Sequence, residues 1–497
     1  MSYANNLKKN VATTLVLQVL KLVLTFANRT VFILALGIFY QGINGVFANL
    51  VSFFELFELG IGASITYFLY EPVAQGNYAK VKGILLYYDK IYRIMMLGML
   101  LLGIGLLPFL QLFMKDVHLT GELYLIFLLY VLKVIFSYAF ASDRSLMMAR
   151  QKNYVLEVVD FVTFVVISLF QVLVLLVWKS FFLYMVAFVF YSLGRNFIVS
   201  LISRREQIYY QAKPQPVSDV EKKNLGQKVL GTAINRVATI IIFNTDNILI
   251  SMFISVAYVG IYSNYVLIIS GLTMLFNAVT NSMISSIAAY IKEQKGDISS
   301  LFYRQHWAIF SLIYLLSLSM LALVNPFISI WVGPTFDIGI VALVILNFAF
   351  NLYRRISYIY KSAYGLMEYD KLKDFFEILL NLGLSLVFLR VLNLGLAGIL
   401  LGTLFANWAT SLWYEPYILF KYGLQTSYKH YLTVFLRSWL LYLFVFGLEY
   451  GLLASISQQT WGVQVGGGIL LVLIHSFIYL VCYRKKFLKL AKFWRSR

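Results

Sequence analysis

Long apolar runs separated by short polar joints recur from Val11 to Leu480. A helix that crosses a bilayer needs ~20 mostly apolar residues. Fourteen runs come near that length: 11–37, 44–70, 86–112, 121–142, 155–178, 181–202, 229–255, 258–290, 306–330, 338–361, 375–390, 395–419, 434–454 and 465–483. The pattern predicts an all-α polytopic membrane protein. The longest hydrophilic stretch, SRREQIYYQAKPQPVSDVEKKNLGQK (203–228), reads as a linker between two halves. Four segments follow: an N-terminal lobe of six helices (1–205), a cytoplasmic linker (206–228), a C-terminal lobe of six helices (229–420), and two extra helices with a basic tail (421–497).

The polar positions inside the runs are ordered. On the first run Thr14, Gln18, Lys21, Thr25 and Asn28 recur at spacings of four and three, one stripe on a helix. On the second, Asn49, Ser52, Glu55, Glu58, Gly62 and Thr66 do the same, so a continuous helix would put both glutamates on one face. At an offset of 218 residues, Tyr40, Gly42, Ile43 and Ser52 fall on Tyr258, Gly260, Ile261 and Ser270. The first stripe then falls on Thr232, Arg236, Thr239, Phe243 and Asp246. The shift of six spans implies a parallel repeat, an architecture found among transporters. Interhelical hydrogen bonding explains the threonines and asparagines. It explains Lys21, Arg236 and Asp246 poorly.

Composition sharpens the class. Of 497 residues 61% are hydrophobic and 13% charged, with a mean hydropathy of +0.79; a soluble domain is about a quarter charged. The net charge of +19 does not require nucleic acid. Most of the 41 lysines and arginines gather in alternate joints, as the positive-inside rule expects, which puts both termini in the cytoplasm. Lys8 and Lys9 precede a first run too long for a signal peptide and lacking a cleavage site, so that span is expected to stay in the mature protein. The single cysteine, Cys482, excludes an internal disulfide. The four histidines show no metal spacing, and neither a metal nor an organic cofactor is expected.

Lys90, Arg93, Arg354, Arg355, Lys361 and Arg390 lie within the runs as bounded but are counted with the joints; six further cations remain within the runs: Lys21, Arg29, Lys133, Arg195, Arg236 and Arg437. With Glu55, Glu58, Asp160 and Asp246 they carry the information, because an ionisable group at mid-bilayer costs at least ~2.5–3.5 kcal/mol and faces a cavity or a partner. Lys21, Arg29 and Arg236 suit an anionic headgroup, since arginine binds two phosphate oxygens at once. Glu55 and Glu58 either balance those cations structurally or bind a coupling ion. Asp246 is a separate candidate for a proton or sodium site.

The run LGIFYQGINGVFANLVSFFELFELGIGASITYFLYEPVA (36–74) resembles the first signature of Wzx-type polysaccharide flippases, which belong to the multidrug/oligosaccharidyl-lipid/polysaccharide superfamily. NTDNILISMFISVAYVGIYSNYVLI (244–268) resembles the second. The resemblance implies a MATE-like fold of two pseudo-symmetric six-helix lobes, a basic central cavity and two C-terminal helices. It implies alternating access that flips undecaprenyl-pyrophosphate-linked oligosaccharide from the inner to the outer leaflet of a bacterial plasma membrane, for capsule or wall polymer. Arg29, Glu58, Asp246 and Asn247 match motif positions, and Asn28 joins them on the stripe. Glu71-Pro72 departs from the pattern, because relatives often have a basic residue before the proline. Expected partners are the lipid-linked oligosaccharide, membrane lipids, and the polymerase and other assembly proteins; nucleic acid is not expected. Coupling to a proton or sodium gradient stays open.

Two other classes compete. A drug or cation antiporter of the same superfamily would want an acidic cavity, whereas these stripes are net basic. A membrane polymerase or glycosyltransferase would need large outer loops, whereas here the outer joints are short, with Asp116, His118, Glu122 and Asp337 as their main polar content.

Overall fold

The computed structural model describes residues 3–58, 61–205, 208–224, 226, 244–293 and 296–495. It is helical throughout, with no β-strand among the described residues. The helices are α1 (Tyr3–Leu36), α2 (Ile38–Ser52), α3 (Ile61–Ala74), α4 (Tyr78–Leu106), α5 (Gly121–Ser137), α6 (Ala141–Ala149), α7 (Asn153–Val177) and α8 (Phe181–Arg204). A further helical stretch, 244–253, precedes α9 (Val256–Lys292). Then come α10 (Ile298–Trp331), α11 (Ile338–Tyr364), α12 (Lys371–Arg390), α13 (Gly395–Ala409), α14 (Ser411–Ile418), α15 (Tyr428–Ile456) and α16 (Trp461–Arg495).

Among the described residues, eleven helices are long and apolar enough to cross a membrane. Of the other three expected spans, two have a physical reason to be missing from that set. The second is not one helix. It is α2, then a 3-10 turn at Phe53–Phe57, then α3, which corrects the continuous helix expected from its polar stripe. The seventh, 229–255, lies mostly outside the described residues. The eleventh corresponds to α12, whose first turns carry Lys373, Asp374 and Glu377.

Local chemistry explains where helices start and stop. Gly37 has φ of 90°, a conformation open to glycine, and it separates α1 from α2. Asn77, Thr120, Ser180, Asp297 and Asp337 each accept a backbone N–H at a helix N-terminus. Gly365, at φ of 75°, ends α11.

The chain divides into two compact units, Met1–Ser263 and Asn264–Arg497. In the first, α1 shows the arrangement a bilayer demands. Val16, Val19, Leu20, Val23 and Leu34 are exposed, while Gln18, Lys21, Thr25 and Asn28 are sheltered. Apolar side chains therefore face outward along the helix and the polar stripe faces inward. In the second unit an aromatic core centres on Trp439, which stacks on Phe350 at 4.0 Å and packs against Tyr353 and Tyr442. Long apolar helices with outward-facing leucine, valine and phenylalanine make this a multi-pass membrane protein.

The linker between α8 and residue 244 is docked where it is described. Gln215 N–H donates to Ala79 O at 2.9 Å, and a β-carbon at Gly83 would collide with Gln215 O. Tyr209 lies edge-on to Tyr78, and Lys82 sits over the ring of Tyr210 at 5.2 Å. Ser218 and Glu221 form a capping box: Glu221 N–H donates to Ser218 Oγ at 3.3 Å, and Ser218 N–H donates to Glu221 Oε2 at 3.0 Å. Glu221 Oε1 then takes Lys80 Nζ at 2.7 Å. The segment is a strap fastened across the N-terminal end of α4.

Candidate functional site

The α1 stripe meets a specific set of partners. Lys21 pairs with Glu157 of α7 at 3.8 Å, and both are partly exposed. Asn28 is buried; its amide donates to Gln171 Oε1 at 3.2 Å, and Gln171 donates on to Tyr184 O of α8. Arg29 donates to Ser263 Oγ at 3.0 Å. That hydroxyl also receives Gln41 Nε2 at 3.4 Å and donates to Gly260 O at 2.8 Å. Among the described residues no carboxylate comes within ion-pair distance of Arg29. Its guanidinium has an electrostatic influence on the Tyr130 and Tyr184 hydroxyls.

The two glutamates of the second span take different tasks. In the 3-10 turn positions three apart eclipse, so Glu55 and Glu58 stay on one side. Glu58 is buried and accepts the Gly62 N–H at 3.0 Å, a carboxylate at the N-terminus of α3. Glu55 is within Coulombic reach of Lys133. The Lys133 ammonium lies over Phe188 at 4.4 Å and over Tyr130 at 5.8 Å. Tyr130 is therefore common to the surroundings of Arg29 and Lys133.

Asp160 anchors a further cluster. Arg144 grips it through two bonds of 3.0 and 2.8 Å, and Arg195 Nε stands 3.7 Å away. Asp143 is buried and receives Ser200 and Tyr210, with Arg204 at 3.4 Å. Asp246 is half-buried near Tyr262, and Asn247 is buried with its Oδ1 unbonded among the described residues. Arg236, with Thr232, Thr239 and Phe243 of the second stripe, lies outside the described residues. The structure thus brings Arg29 and Asn28 into one polar interior and adds Lys133 and Arg195. Those two were visible as in-span cations, but only the packing of α5 and α8 reveals their neighbours.

The second unit holds a different constellation. Arg354 of α11 bonds Glu377 of α12 at 2.7 Å, Glu415 of α14 at 3.0 Å and Asn407 of α13 at 2.7 Å. Lys373 reaches Glu415 at 2.7 Å, Ser411 donates to Glu377 at 2.7 Å, and Lys361 pairs with Asp370 at 2.6 Å. Lys361, Glu377, Glu415, Lys373 and Asp370 are all buried. Every charge has a partner, so this network clamps four helices together rather than waiting for a ligand.

No known family model matches the chain, and no curated protein matches it either. Solved structures do. Lipid II flippase MurJ in an inward closed conformation is similar over 96% of this chain and 100% of its own, with a TM-score of 0.66 at 15% identity. An inward-facing multidrug resistance MATE family transporter of the MOP superfamily is similar over 83% of this chain and 99% of its own, with a TM-score of 0.62 at 13% identity. A Vibrio cholerae MATE transporter, VcmN, is similar over 84% and 98%, with a TM-score of 0.54 at 13% identity. The chain therefore has the all-helical fold shared by MurJ and MATE proteins.

Proposed function

We propose that this protein is a flippase that moves undecaprenyl-pyrophosphate-linked oligosaccharide from the inner to the outer leaflet, supplying a cell-surface polysaccharide, and that it is not an enzyme. The observation that carries the reading is Arg29. A guanidinium in a membrane span, sheltered with Asn28 and bonded to a serine hydroxyl instead of a carboxylate, is a charge whose natural complement is an anion. Lys21 is a weaker anchor, since Glu157 already shares its charge. Arg236 would supply a further cation. The likeness to MurJ along nearly the whole chain supports a lipid-linked cargo. Glu55, Glu58, Asp246 and Asn247 are the candidates for a coupling ion, proton or sodium. Both termini lie in the cytoplasm on this reading.

The MATE likeness favours one alternative, an antiporter for drugs or cations. Depleting the protein in its native bacterium separates the two. Complete lipid-linked repeat units trapped on the cytoplasmic face, with surface polymer lost, support flipping. Normal surface polymer with altered drug efflux supports the antiporter. Units exposed outside but unpolymerised would point to an enzyme.

A further inference from the structure

We propose that the strap and the adjoining ends of α3 and α4 form a binding site for an organic ammonium group of about monosaccharide size. The site is distinct from that of Arg29, and its occupant does not depend on what the protein transports. The cavity has a volume of about 330 Å³, at the small end of ligand pockets. It has three walls. From α3 come Tyr67, Tyr70 and Glu71, whose spacing puts them on one helix face. From α4 come Lys80, Tyr87 and Tyr88, and from the strap Val217 and Glu221.

Charge selects the ligand. Lys80 is neutralised by Glu221 at 2.7 Å. Glu71 is the remaining carboxylate; its hydrogen-bond partner is the Gln75 amide at 3.0 Å, and no cation pairs with it among the described residues. The site is therefore left with one negative charge amid tyrosine rings, whose faces are also negative and attract ammonium groups. Where the flippase resemblance leads one to expect a basic residue before Pro72, Glu71 places a carboxylate instead, which weakens any phosphate-gripping role for this position. The aromatic walls, and the lack of a three-ligand cluster among the described residues, argue against a metal ion.

Tyr88 is the most deeply buried of the lining tyrosines and closes the inner wall. Two sources supply an organic ammonium group of this size: an amino sugar, and the ethanolamine headgroup of a bilayer lipid.

The test uses the full-length protein in nanodiscs of phosphatidylglycerol, with ligand binding read by saturation-transfer NMR and calorimetry. Glucosamine should bind and tetramethylammonium should displace it, whereas N-acetylglucosamine, the same ring without the charge, should not bind. Glu71→Gln should weaken glucosamine at least about tenfold, as expected for loss of a charge-assisted bond. If phosphatidylethanolamine discs abolish glucosamine binding, the headgroup is the occupant; unchanged binding assigns the site to a sugar amine. Equal binding of the charged and acetylated sugars, or no binding of either, overturns the proposal. So does a folded Glu71→Gln protein with unchanged affinity. Should that variant fail to fold, the comparison of the two sugars on the unaltered protein decides.

Discussion

Gly42 of α2 and Gly260 of α9 pack backbone to backbone. A β-carbon at Gly42 would strike Val256 O, and one at Gly260 would strike Ile38 O and come within 3.1 Å of Gly42 N. The offset of 218 residues that relates Gly42 to Gly260 also relates Ile38 to Val256. The next contacts obey the same rule. Gly45 faces Val259, and Ser263, the counterpart of Gly45, takes a bond from Gln41, the counterpart of Val259. Reciprocal contacts of this kind are the mark of an approximate twofold axis between two like segments.

Gly42→Val and Gly260→Val should each disrupt this crossing, and by similar amounts. Overpacking typically costs about 1–3 kcal/mol, and here the obstacle is backbone, which cannot rotate away. Thermal unfolding in detergent checks it; a control at Gly105, where a β-carbon meets nothing, should be near neutral.

Arg29→Ala should impair polysaccharide export while leaving folded protein in the membrane, and Arg236→Ala should do likewise. Lys21→Ala should have the smaller effect, because its pair with Glu157 is partly exposed and such pairs contribute about 0–1 kcal/mol. Surface polymer measured against protein level is the readout. Full export with both arginines removed would sink the anion pocket.

Glu58→Gln and Glu55→Gln should separate. The first keeps the oxygen that caps α3 but removes its charge at the helix N-terminus, a loss of about 0.3–1 kcal/mol visible in unfolding. The second leaves Lys133 without its acidic neighbour and should change the pH dependence of transport. A Glu55→Gln protein with an unaltered pH profile would confine that residue to a structural role.

Arg354→Ala should be strongly destabilising, by about 3–5 kcal/mol, because Glu377 and Glu415 would be left buried without their cation. Arg354→Lys should not restore the wild-type value, since one ammonium cannot span two carboxylates and Asn407. Expression level and unfolding temperature report on both.

The strap should resist acid. Lys80, and then the Ser218 N–H, hold the Glu221 carboxyl at about 2, well below its ordinary value of 4.5. A carboxyl lowered in the folded state stabilises above its unfolded pKa and loses that contribution as pH falls through the folded one. Strap protection from proteolysis should therefore persist from neutral pH to below pH 4.5 and fade towards pH 2. Lys80→Met should move the loss upward, and high salt should weaken the contact, because the pair is partly exposed.

Much of this architecture is legible in the order of residues along the chain. The apolar runs fix the membrane class, the α1 stripe does turn inward, and the offset of 218 residues ends in the contact of Gly42 with Gly260. What periodicity conceals is the identity of the residue opposite. Glu55 and Glu58 look alike on a helical wheel, yet one finds Lys133 and the other a backbone amide. Arg354, Lys361 and Lys373 read as loop charges under the positive-inside rule. They are held instead by acids on neighbouring helices, in an arrangement that sign and spacing along one chain do not encode.

The strap also has a direction in time. Its described contacts with the helical body, through Ala79, Lys80, Lys82, Gly83 and Asp143, all run back to residues made earlier on the ribosome. The early helices can thus be bound up as soon as Glu221 has been synthesised. Arg29 must wait longer, because Ser263 has yet to emerge. Translation order therefore closes the ammonium pocket first and finishes the Arg29 site afterwards, so a nascent chain halted between these two points would hold the one without the other.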